Sequence, residues 1–176
     1  MGRRLIRMKL VASLGKIQRA LAETQTPAVR IERITKPSRE ALDLLEEYYS
    51  AVHVVRRDTP AALRKILNEP GSGMWLAWLG DAVAGCVVLR PLAGMRGAGE
   101  CKRLYVRPQA RGHHIAERLM DALEEFAQGL GMRWIYLDTH DGLKAAIALY
   151  RKRGYARCPR YNDNPQATLF LRRKIS

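Results

Sequence analysis

A strand that leads through a short turn into a long helix lies in the middle of the chain. Residues 100–106 alternate in character as a strand does, and Pro108 ends the run. Gly112 lies in the turn, and from Ile115 to Leu130 apolar residues recur at helical spacing. One face of the strand is predicted to carry Glu100, Lys102, Leu104 and Val106. This succession of a strand and a helix predicts an α/β fold.

The segments on both sides of this unit add further strands and helices. Ser38 and Thr59 are predicted to cap two helices, and Gly80-Asp81 is predicted to join two strands as a hairpin. Strands are predicted at residues 29–35, 74–79, 82–89, 100–106, 134–137 and 167–171, with a further short strand near Tyr155. The order β-α-α-β-β-β-α-β-α-β contains hairpins as well as crossover helices and therefore predicts one mixed sheet.

The positive charge of the chain is concentrated at its two ends. The formal net charge of +14 divides into +5 for residues 1–28, +1 for residues 29–143 and +8 for residues 144–176. Such an excess is typical of proteins that bind nucleic acid or membrane surfaces. Aromatic residues suited to base stacking do not alternate with these basic groups. A nucleic-acid partner is therefore not expected. A basic protein that associates with nucleic acid remains the less favoured alternative.

Residues 1–28 are predicted to be a basic amphipathic extension that precedes a domain at residues 29–176. Apolar residues recur there at helical spacing, at Ile6, Leu10, Leu14, Ile17 and Leu21. A helix that binds a membrane surface or a partner, a mitochondrial-type presequence and an extension outside the fold all fit this pattern. The sequence leaves these alternatives open.

The cysteine and histidine patterns predict neither a disulfide framework nor a metal site. The three cysteines have no C-x-x-C spacing, which indicates a reducing, cytoplasmic location. His113 and His114 are adjacent and do not share a helix face, so a metal-binding pair is not expected. No apolar run reaches the roughly 18 residues that span a bilayer, so integral membrane association is not expected either.

The turn before the predicted long helix has the features of an anion site. The first amides of a helix have no partner within it, and the helix dipole is positive at that end. Gly112 lacks a side chain that would block the backbone, and Arg111 adds a positive charge at the rim. These features suit a pyrophosphate group. An ordinary connection from a strand to a helix would look similar, and the residues alone leave both interpretations open.

Several motifs resemble those of the GNAT superfamily of acyl-CoA-dependent N-acyltransferases. Residues 109–112, Gln-Ala-Arg-Gly, are similar to the start of its acyl-CoA signature, and residues 148–155 are similar to the end of its last helix. The motif at residues 100–106 resembles a bacterial branch whose acceptors vary. The resemblance, which covers about residues 29–174, implies a mixed and mostly antiparallel sheet of six or seven strands flanked by about four helices. It also implies that coenzyme A contacts Leu104, Tyr105, Val106, Gln109, Ala110, Arg111, Gly112, His113, His114, Ile115 and Ala116.

Two residues depart from the pattern of the superfamily. His114 occupies the last small-residue position of the acyl-CoA signature, where its side chain could crowd a pyrophosphate, donate to it or face outward. Leu143 replaces an asparagine that many members carry seven residues before the helix tyrosine. The second departure removes one expected contact with pantetheine and does not alter the predicted fold.

The resemblance also implies roles in acyl transfer. Glu100 would act as the general base through a water molecule, and Tyr150 would return a proton to the departing thiolate. The backbone N–H of Leu104 would stabilise the oxyanion, and Val106 would pair with pantetheine like an added strand. The residues alone leave two alternatives open, namely pairing of Glu100 with Lys102 or a surface arginine and simple packing of Tyr150.

The acceptor is expected to lie beside the first predicted helix pair and the loop before the last strand. The candidate acceptor contacts are Tyr48, Tyr49, His53, Tyr161, Asp163 and Asn164. For Asp163, attraction of an ammonium group and capping of a turn are both consistent with its position. A surface position without a substrate contact is equally consistent with His53.

The predicted function is transfer of an acetyl or other acyl group from acetyl-CoA to a primary amine. The acceptor would be a small molecule or amino-acid-like compound, and transfer would be direct, in a ternary complex without a metal. The alternative from a different functional class is a non-catalytic module that binds acyl-CoA. The departures from the family pattern at His114 and Leu143 would favour it. Dimers are common in the superfamily, so the resemblance is also compatible with a homodimer.

Overall fold

A computed structural model describes residues 27–55 and 57–176 of the chain. These residues form seven strands and four α-helices. The strands are β1 (Val29–Ile34), β2 (Gly73–Leu79), β3 (Ala82–Pro91), β4 (Ala98–Val106), β5 (Trp134–Thr139), β6 (Ala156–Arg157) and β7 (Leu169–Lys174). The helices are α1 (Arg39–Ala51), α2 (Pro60–Asn68), α3 (Ile115–Gly129) and α4 (Lys144–Lys152). This order confirms the α/β fold predicted from the sequence. The helix predicted at the start of the chain lies outside the described residues.

All seven strands join one sheet in the order β1-β2-β3-β4-β5-β7-β6. Neighbouring strands are antiparallel except β4 and β5, which are parallel and pair only from Ala98–Trp134 to Glu100–Tyr136. Both strands continue beyond this short ladder, β4 to Val106 and β5 to Thr139. The two strands therefore diverge, and the sheet is open between them.

A β-bulge in β4 changes which side chains share a strand face. Tyr105 pairs with Cys86 and Lys102 pairs with Val88, so β4 has one residue more than β3 over this stretch. Arg103 lies at the bulge with a φ of 55°, in the left-handed region. The prediction that Glu100 and Val106 lie on the same face is therefore wrong, because the extra residue reverses the alternation after Lys102.

Two helix pairs cover opposite faces of the sheet. On one face, α3 and α4 bury an apolar cluster that includes Leu119, Leu123 and Ile147. On the other, α1 and α2 bury a second cluster around Leu44 and Leu63. Burial of these apolar side chains is the main term that holds the helices on the sheet. None of the helices in the described part of the chain is both long and apolar enough to cross a membrane.

Side-chain caps begin the two helices of the second pair, as the sequence predicts. The Ser38 side chain accepts a hydrogen bond from the backbone N–H of Ala41, and Thr59 accepts one from Ala62 in the same way. Pro60 occupies the first position of α2, where its missing N–H costs nothing. These caps fix the start of α1 and α2, whose connecting loop reaches the open part of the sheet.

Candidate active site

A cavity of about 780 Å³ lies where β4 and β5 diverge. Six parts of the chain contribute to its wall: β4 from Cys101 onward, the end of β5, helix α4, the start of α3, the loop after α1 and the loop after β6. Because β5 leaves β4 after Glu100, the edge of β4 toward Val106 has no β5 partner and borders the cavity. An extended ligand is able to add to such an edge by backbone hydrogen bonds.

The predicted anion turn lies at one end of the cavity. Gly112 has a φ of 87°, and a Cβ atom built on it would have no other atom within 4 Å. Arg111 and Ala116 line the cavity, and α3 begins directly after the turn, so its first amides and its positive dipole end are oriented toward this end. The turn therefore combines an open backbone with positive charge, as binding of a phosphate requires.

His114 directs its side chain away from this turn. The residue caps α3 in the left-handed region with a φ of 54°, and its side chain is 78% exposed. Its Nδ1 atom lies 3.4 Å from a carboxylate oxygen of Glu117. The side chain therefore does not crowd the backbone amides, and of the three orientations considered for it the structure shows the outward one.

The remaining predicted coenzyme A contacts separate into cavity-lining and supporting residues. Leu104, Tyr105 and Val106 line the cavity together with Arg111 and Ala116. The other predicted contacts form the turn without appearing in the cavity wall, namely Gln109, Ala110, Gly112, His113, His114 and Ile115. Among these, burial of Ala110 and Ile115 in the core anchors the turn to the sheet.

Replacement of Gly112 by alanine is expected to weaken coenzyme A binding about 5- to 30-fold. A left-handed backbone costs a residue with a Cβ atom about 1–2 kcal/mol, so the turn relaxes and has to be restored when the ligand binds. Calorimetric titration with coenzyme A measures this loss. Gly129→Ala is the matched control, because Gly129 ends α3 with an ordinary φ and free space for a Cβ. Equal affinities for the two variants would contradict a role for the turn conformation.

Tyr150 lies at the wall of the cavity, on the buried face of α4. Its side chain is only 6% exposed, and its ring packs 5.9 Å from that of Tyr155. Among the described residues its hydroxyl has no hydrogen-bond partner. Burial raises the pKa of Tyr150 well above its ordinary value, so the hydroxyl keeps its proton at neutral pH. The side chain thus supplies a proton donor that is not engaged elsewhere.

Glu100 is buried beneath the open part of the sheet and does not line the cavity. Its Oε2 atom accepts from Arg90 at 2.6 and 2.7 Å. Its Oε1 atom lies 3.0 Å from Nζ of Lys102 and 3.0 Å from Nδ2 of Asn162. This arrangement corresponds to the pairing with Lys102 and an arginine that the sequence left open. Its predicted role as a general base stays a prediction.

Asp138 is a carboxylate of the cavity wall that the sequence analysis did not single out. Its Oδ2 atom accepts from Lys102 at 2.8 Å, from Asn162 at 2.7 Å and from Asn164 at 3.3 Å. Burial alone would raise the pKa of Asp138, but the charge of Lys102 and these hydrogen bonds outweigh it and lower the pKa. Its Oδ1 atom has no hydrogen-bond partner in the described part of the chain. A signal existed in the sequence, since this acid directly follows the strand predicted at residues 134–137.

The predicted acceptor residues occupy several different environments. Tyr48 and Asn164 line the cavity, whereas His53 and Asp163 do not. Tyr49 donates a hydrogen bond to Asp58, which also pairs with Arg103. The structure therefore brings only two of the predicted acceptor contacts to the wall.

Tyr161 and Leu143 complete the set of predicted positions. Tyr161 packs edge-on against Tyr136 and Phe170, with its hydroxyl buried, and does not line the cavity. Leu143 lines the cavity and precedes α4 without a side-chain cap. An asparagine at this position would offer polar groups, whereas this chain presents an apolar wall.

Comparisons with known proteins relate this arrangement to one family. The model of the acetyltransferase (GNAT) family matches residues 38–155, more than half of the chain. An uncharacterized N-acetyltransferase of Schizosaccharomyces pombe is 38% identical over 81 residues, 46% of this chain and 49% of that protein. The IAA acetyltransferase of Azospirillum brasilense is 36% identical over 90 residues, 51% of this chain and 58% of that protein. The chain thus spans about half the length of the curated relatives it matches.

A solved acetyltransferase structure also shares the fold of this chain. The crystal structure of a PaiA N-acetyltransferase from Thermoplasma acidophilum in complex with coenzyme A has a TM-score of 0.66 to this chain. It is 14% identical and covers 84% of this chain and 99% of its own, which shows a common fold. The match to the family model assigns the chain to a family. The divergence of β4 and β5 and the turn at Gly112 agree with that assignment. The chain belongs to the GNAT family of acetyltransferases.

Proposed function

We propose that this protein transfers an acetyl group from acetyl-CoA to the primary amine of a small acceptor. The observation that carries the proposal is the cavity between β4 and β5, whose wall contains Leu104, Asp138 and Tyr150 and whose end is the turn at Gly112. An amine acceptor and an acyl donor held together in one cavity react without a covalent enzyme intermediate. Family membership supports acetyl-CoA as the donor.

The chain offers fitting contacts for the pyrophosphate and pantetheine parts of coenzyme A. The pyrophosphate would lie against the backbone of the turn around Gly112, beside Arg111. Pantetheine would run along the free edge of β4 near Val106 and pair with its backbone. The volume of the cavity and the open space at Gly112 support this fit. Bound in this way, coenzyme A supplies the activated acyl group, and the side chains of the wall act on it.

The bulge in β4 provides the group that would stabilise negative charge on the acyl oxygen. Arg103 and Leu104 fall between the paired residues Lys102 and Tyr105, and β5 has already diverged there. The backbone of Leu104 consequently has no register partner on either side in the described residues. A backbone N–H donor held in a fixed position is effective because it needs no reorientation as charge develops.

Tyr150 would return a proton to the thiolate as it leaves. Because burial raises the pKa of this hydroxyl well above its usual value, the side chain stays protonated between pH 6 and about 10. A decline of activity within that range would come from another group. Proton donation from Tyr150 makes the thiol a better leaving group and prevents the reverse attack.

We propose that the carboxylate of Asp138 contacts the acceptor amine. Its lowered pKa keeps it charged, and its Oδ1 atom is available to accept a hydrogen bond from the amine nitrogen. This contact orients the nitrogen toward the acyl carbon, while the proton leaves through solvent in the open cavity. Glu100, the base predicted from the sequence, would reach the amine only through water, and its oxygens are already held by three donors.

Release of free thiol from acetyl-CoA, measured with a chromogenic disulfide across a panel of amines, tests the proposal. We expect acceptor-dependent thiol release and an acetylated product of the corresponding mass. Binding of coenzyme A without turnover for any amine would instead support a non-catalytic acyl-CoA-binding module. Absence of thermal stabilisation by coenzyme A would contradict both, since a ligand at 100 times its Kd adds about 2.7 kcal/mol. A cytoplasmic location, a homodimer and the division of the chain after residue 28 stay predictions.

A further inference from the structure

Two consecutive basic side chains face the same side of the sheet at the bulge of β4. Lys102 contacts Asp138, and Arg103 pairs with Asp58 in the loop before α2. In a regular strand, neighbouring side chains point to opposite faces, so this placement exists only because of the bulge. Both residues line the cavity. The acceptor side of the cavity therefore presents more positive charge than an unbulged strand would bring there.

The two basic residues differ in how fully their donors are used. Lys102 Nζ lies between the carboxylates of Glu100 and Asp138, at 3.0 and 2.8 Å. Arg103 pairs with Asp58 through Nη2, and its side chain is 13% exposed. Its Nη1 atom is buried and has no hydrogen-bond partner among the described residues. A buried guanidinium nitrogen without a partner is rare in folded proteins, because the lost hydration is not replaced.

The backbone conformation at Arg103 is also unusual. Its φ of 55° lies in the left-handed region, which residues other than glycine, asparagine and aspartate rarely adopt. The thiol of Cys86 donates to the Arg103 carbonyl at 3.3 Å, and the ion pair with Asp58 holds the side chain. Strained residues held in this way concentrate at sites that bind ligands.

Arg103 and Asp138 share a neighbour in the cavity wall. Burial raises the pKa of Tyr48 to about 12, while the charge of Arg103 lowers it and that of Asp138 raises it by smaller amounts. Tyr48, Arg103 and Asp138 all line the cavity. Lys102, which precedes Arg103 in the chain, contacts Asp138 directly at 2.8 Å, so the strand segment that carries Arg103 lies beside Asp138.

We propose that Arg103 binds a carboxylate of the acceptor, so that the preferred acceptors are amines that carry a carboxylate, such as amino acids. The planar guanidinium matches a carboxylate in geometry as well as in charge. The acceptor carboxylate would take the free Nη1 donor, while the acceptor amine contacts Asp138 Oδ1. A polyamine would instead bring a second positive charge toward Arg103. This proposal rests on the proposed acetyl transfer and specifies its substrate class.

Matched acceptors test the proposal on the unaltered protein. Each amino acid of a panel is compared with its carboxamide and with its decarboxylated amine at a fixed acetyl-CoA concentration. The amide has the more acidic ammonium group and hence more free amine at neutral pH, so chemistry alone favours it. We expect kcat/KM to be about 10- to 100-fold higher for the acid, because only the acid satisfies the buried guanidinium. Amides or simple amines used as well as the acids would overturn the proposal.

Variants at Arg103 separate recognition of the carboxylate from support of the fold. Arg103→Gln is expected to reduce the preference for acid over amide, taken as the ratio of their kcat/KM values, to about twofold or less. A purely structural role would lower both substrates together and leave the preference unchanged, which would overturn the proposal. Arg107→Gln is the matched control, because Arg107 likewise forms an ion pair, with Glu47 of α1, but does not line the cavity. It is expected to keep the preference.

The outcomes distinguish this proposal from the proposed function. If the protein acetylates amines without preferring those that carry a carboxylate, the proposed acetyl transfer stands and the proposed role of Arg103 is rejected. Coenzyme A binding with no acetylation of any panel member rejects acetyl transfer, and the Arg103 proposal is rejected with it. Should Arg103→Gln fail to fold, as melting temperature and coenzyme A stabilisation would reveal, the comparison of acids with amides on the unaltered protein still decides the question.

Discussion

Replacement of Tyr150 by phenylalanine is expected to lower kcat about 100-fold or more and to leave binding of acetyl-CoA within about twofold. The substitution removes only the hydroxyl, and a positioned general acid contributes about 10²- to 10⁴-fold to a rate. Because that hydroxyl has no hydrogen-bond partner among the described residues, its loss leaves no other polar group unsatisfied. Steady-state kinetics with a good acceptor, together with calorimetric titration of coenzyme A, measure the two quantities.

Tyr136→Phe is the matched control for this experiment. Tyr136 is also a buried tyrosine near the open part of the sheet, but its hydroxyl accepts from Arg172 at 3.3 Å and it does not line the cavity. We expect its kcat to stay within about threefold of the unaltered protein. If Tyr150→Phe behaves like this control, Tyr150 is a packing residue of α4 and another group returns the proton.

Replacement of Glu100 by glutamine is expected to lower the free energy of unfolding by about 2–4 kcal/mol. Glu100 is 1% exposed and neutralises both Arg90 and Lys102, so the neutral amide leaves two cations with a weaker partner. Loss of one partner of a buried ion pair costs about 3–5 kcal/mol, and the partial exposure of Arg90 reduces this. For a chain of this length, a fall of about 4–16 °C in Tm follows.

Asp138→Asn is expected to show the opposite pattern, with a moderate effect on stability and at least a 10-fold loss of kcat/KM for the acceptor. Lys102 retains Glu100 as a partner in this variant, whereas the acceptor amine loses its charged contact. Thermal unfolding and acceptor kinetics on both variants measure the contrast. Normal stability with abolished turnover in Glu100→Gln would show instead that Glu100 is the base, as the sequence predicts.

The lowered pKa of Asp138 sets the pH range in which its contribution to stability disappears. Burial opposes ionisation, but Lys102 and two asparagine side chains outweigh it and stabilise the charged form. The stabilisation is therefore complete above the ordinary pKa of about 3.8 and is lost as the pH falls through the lower folded value. Unfolding of the Asp138→Asn variant should accordingly differ from that of the unaltered protein at neutral pH and converge with it in strong acid.

The order of the elements and the turn at Gly112 could be predicted because their signals are local. Ser38 and Thr59 cap helices through hydrogen bonds to residues three positions away, and the glycine turn depends on its own backbone. Hydrophobic periods identify strands and helices without knowledge of their partners. The resemblance to a family of acyltransferases added the expected coenzyme A contacts and the candidate role of Tyr150, and Tyr150 lies in the wall of the cavity.

The bulge at Arg103 is different, because it exists only as a mismatch between two strands. Nothing in residues 100–106 alone shows that Val88 pairs with Lys102 while Cys86 pairs with Tyr105. The sequence by itself therefore determined the order of the strands and helices and the glycine turn before α3, through periodicity, capping and glycine. Only the tertiary structure decided that Glu100 is held by Arg90 and Lys102, and that Asp138 and Arg103 line the same cavity. The physical reason is that strand register and ion pairing join residues that are far apart in the chain, and local alternation carries no information about either.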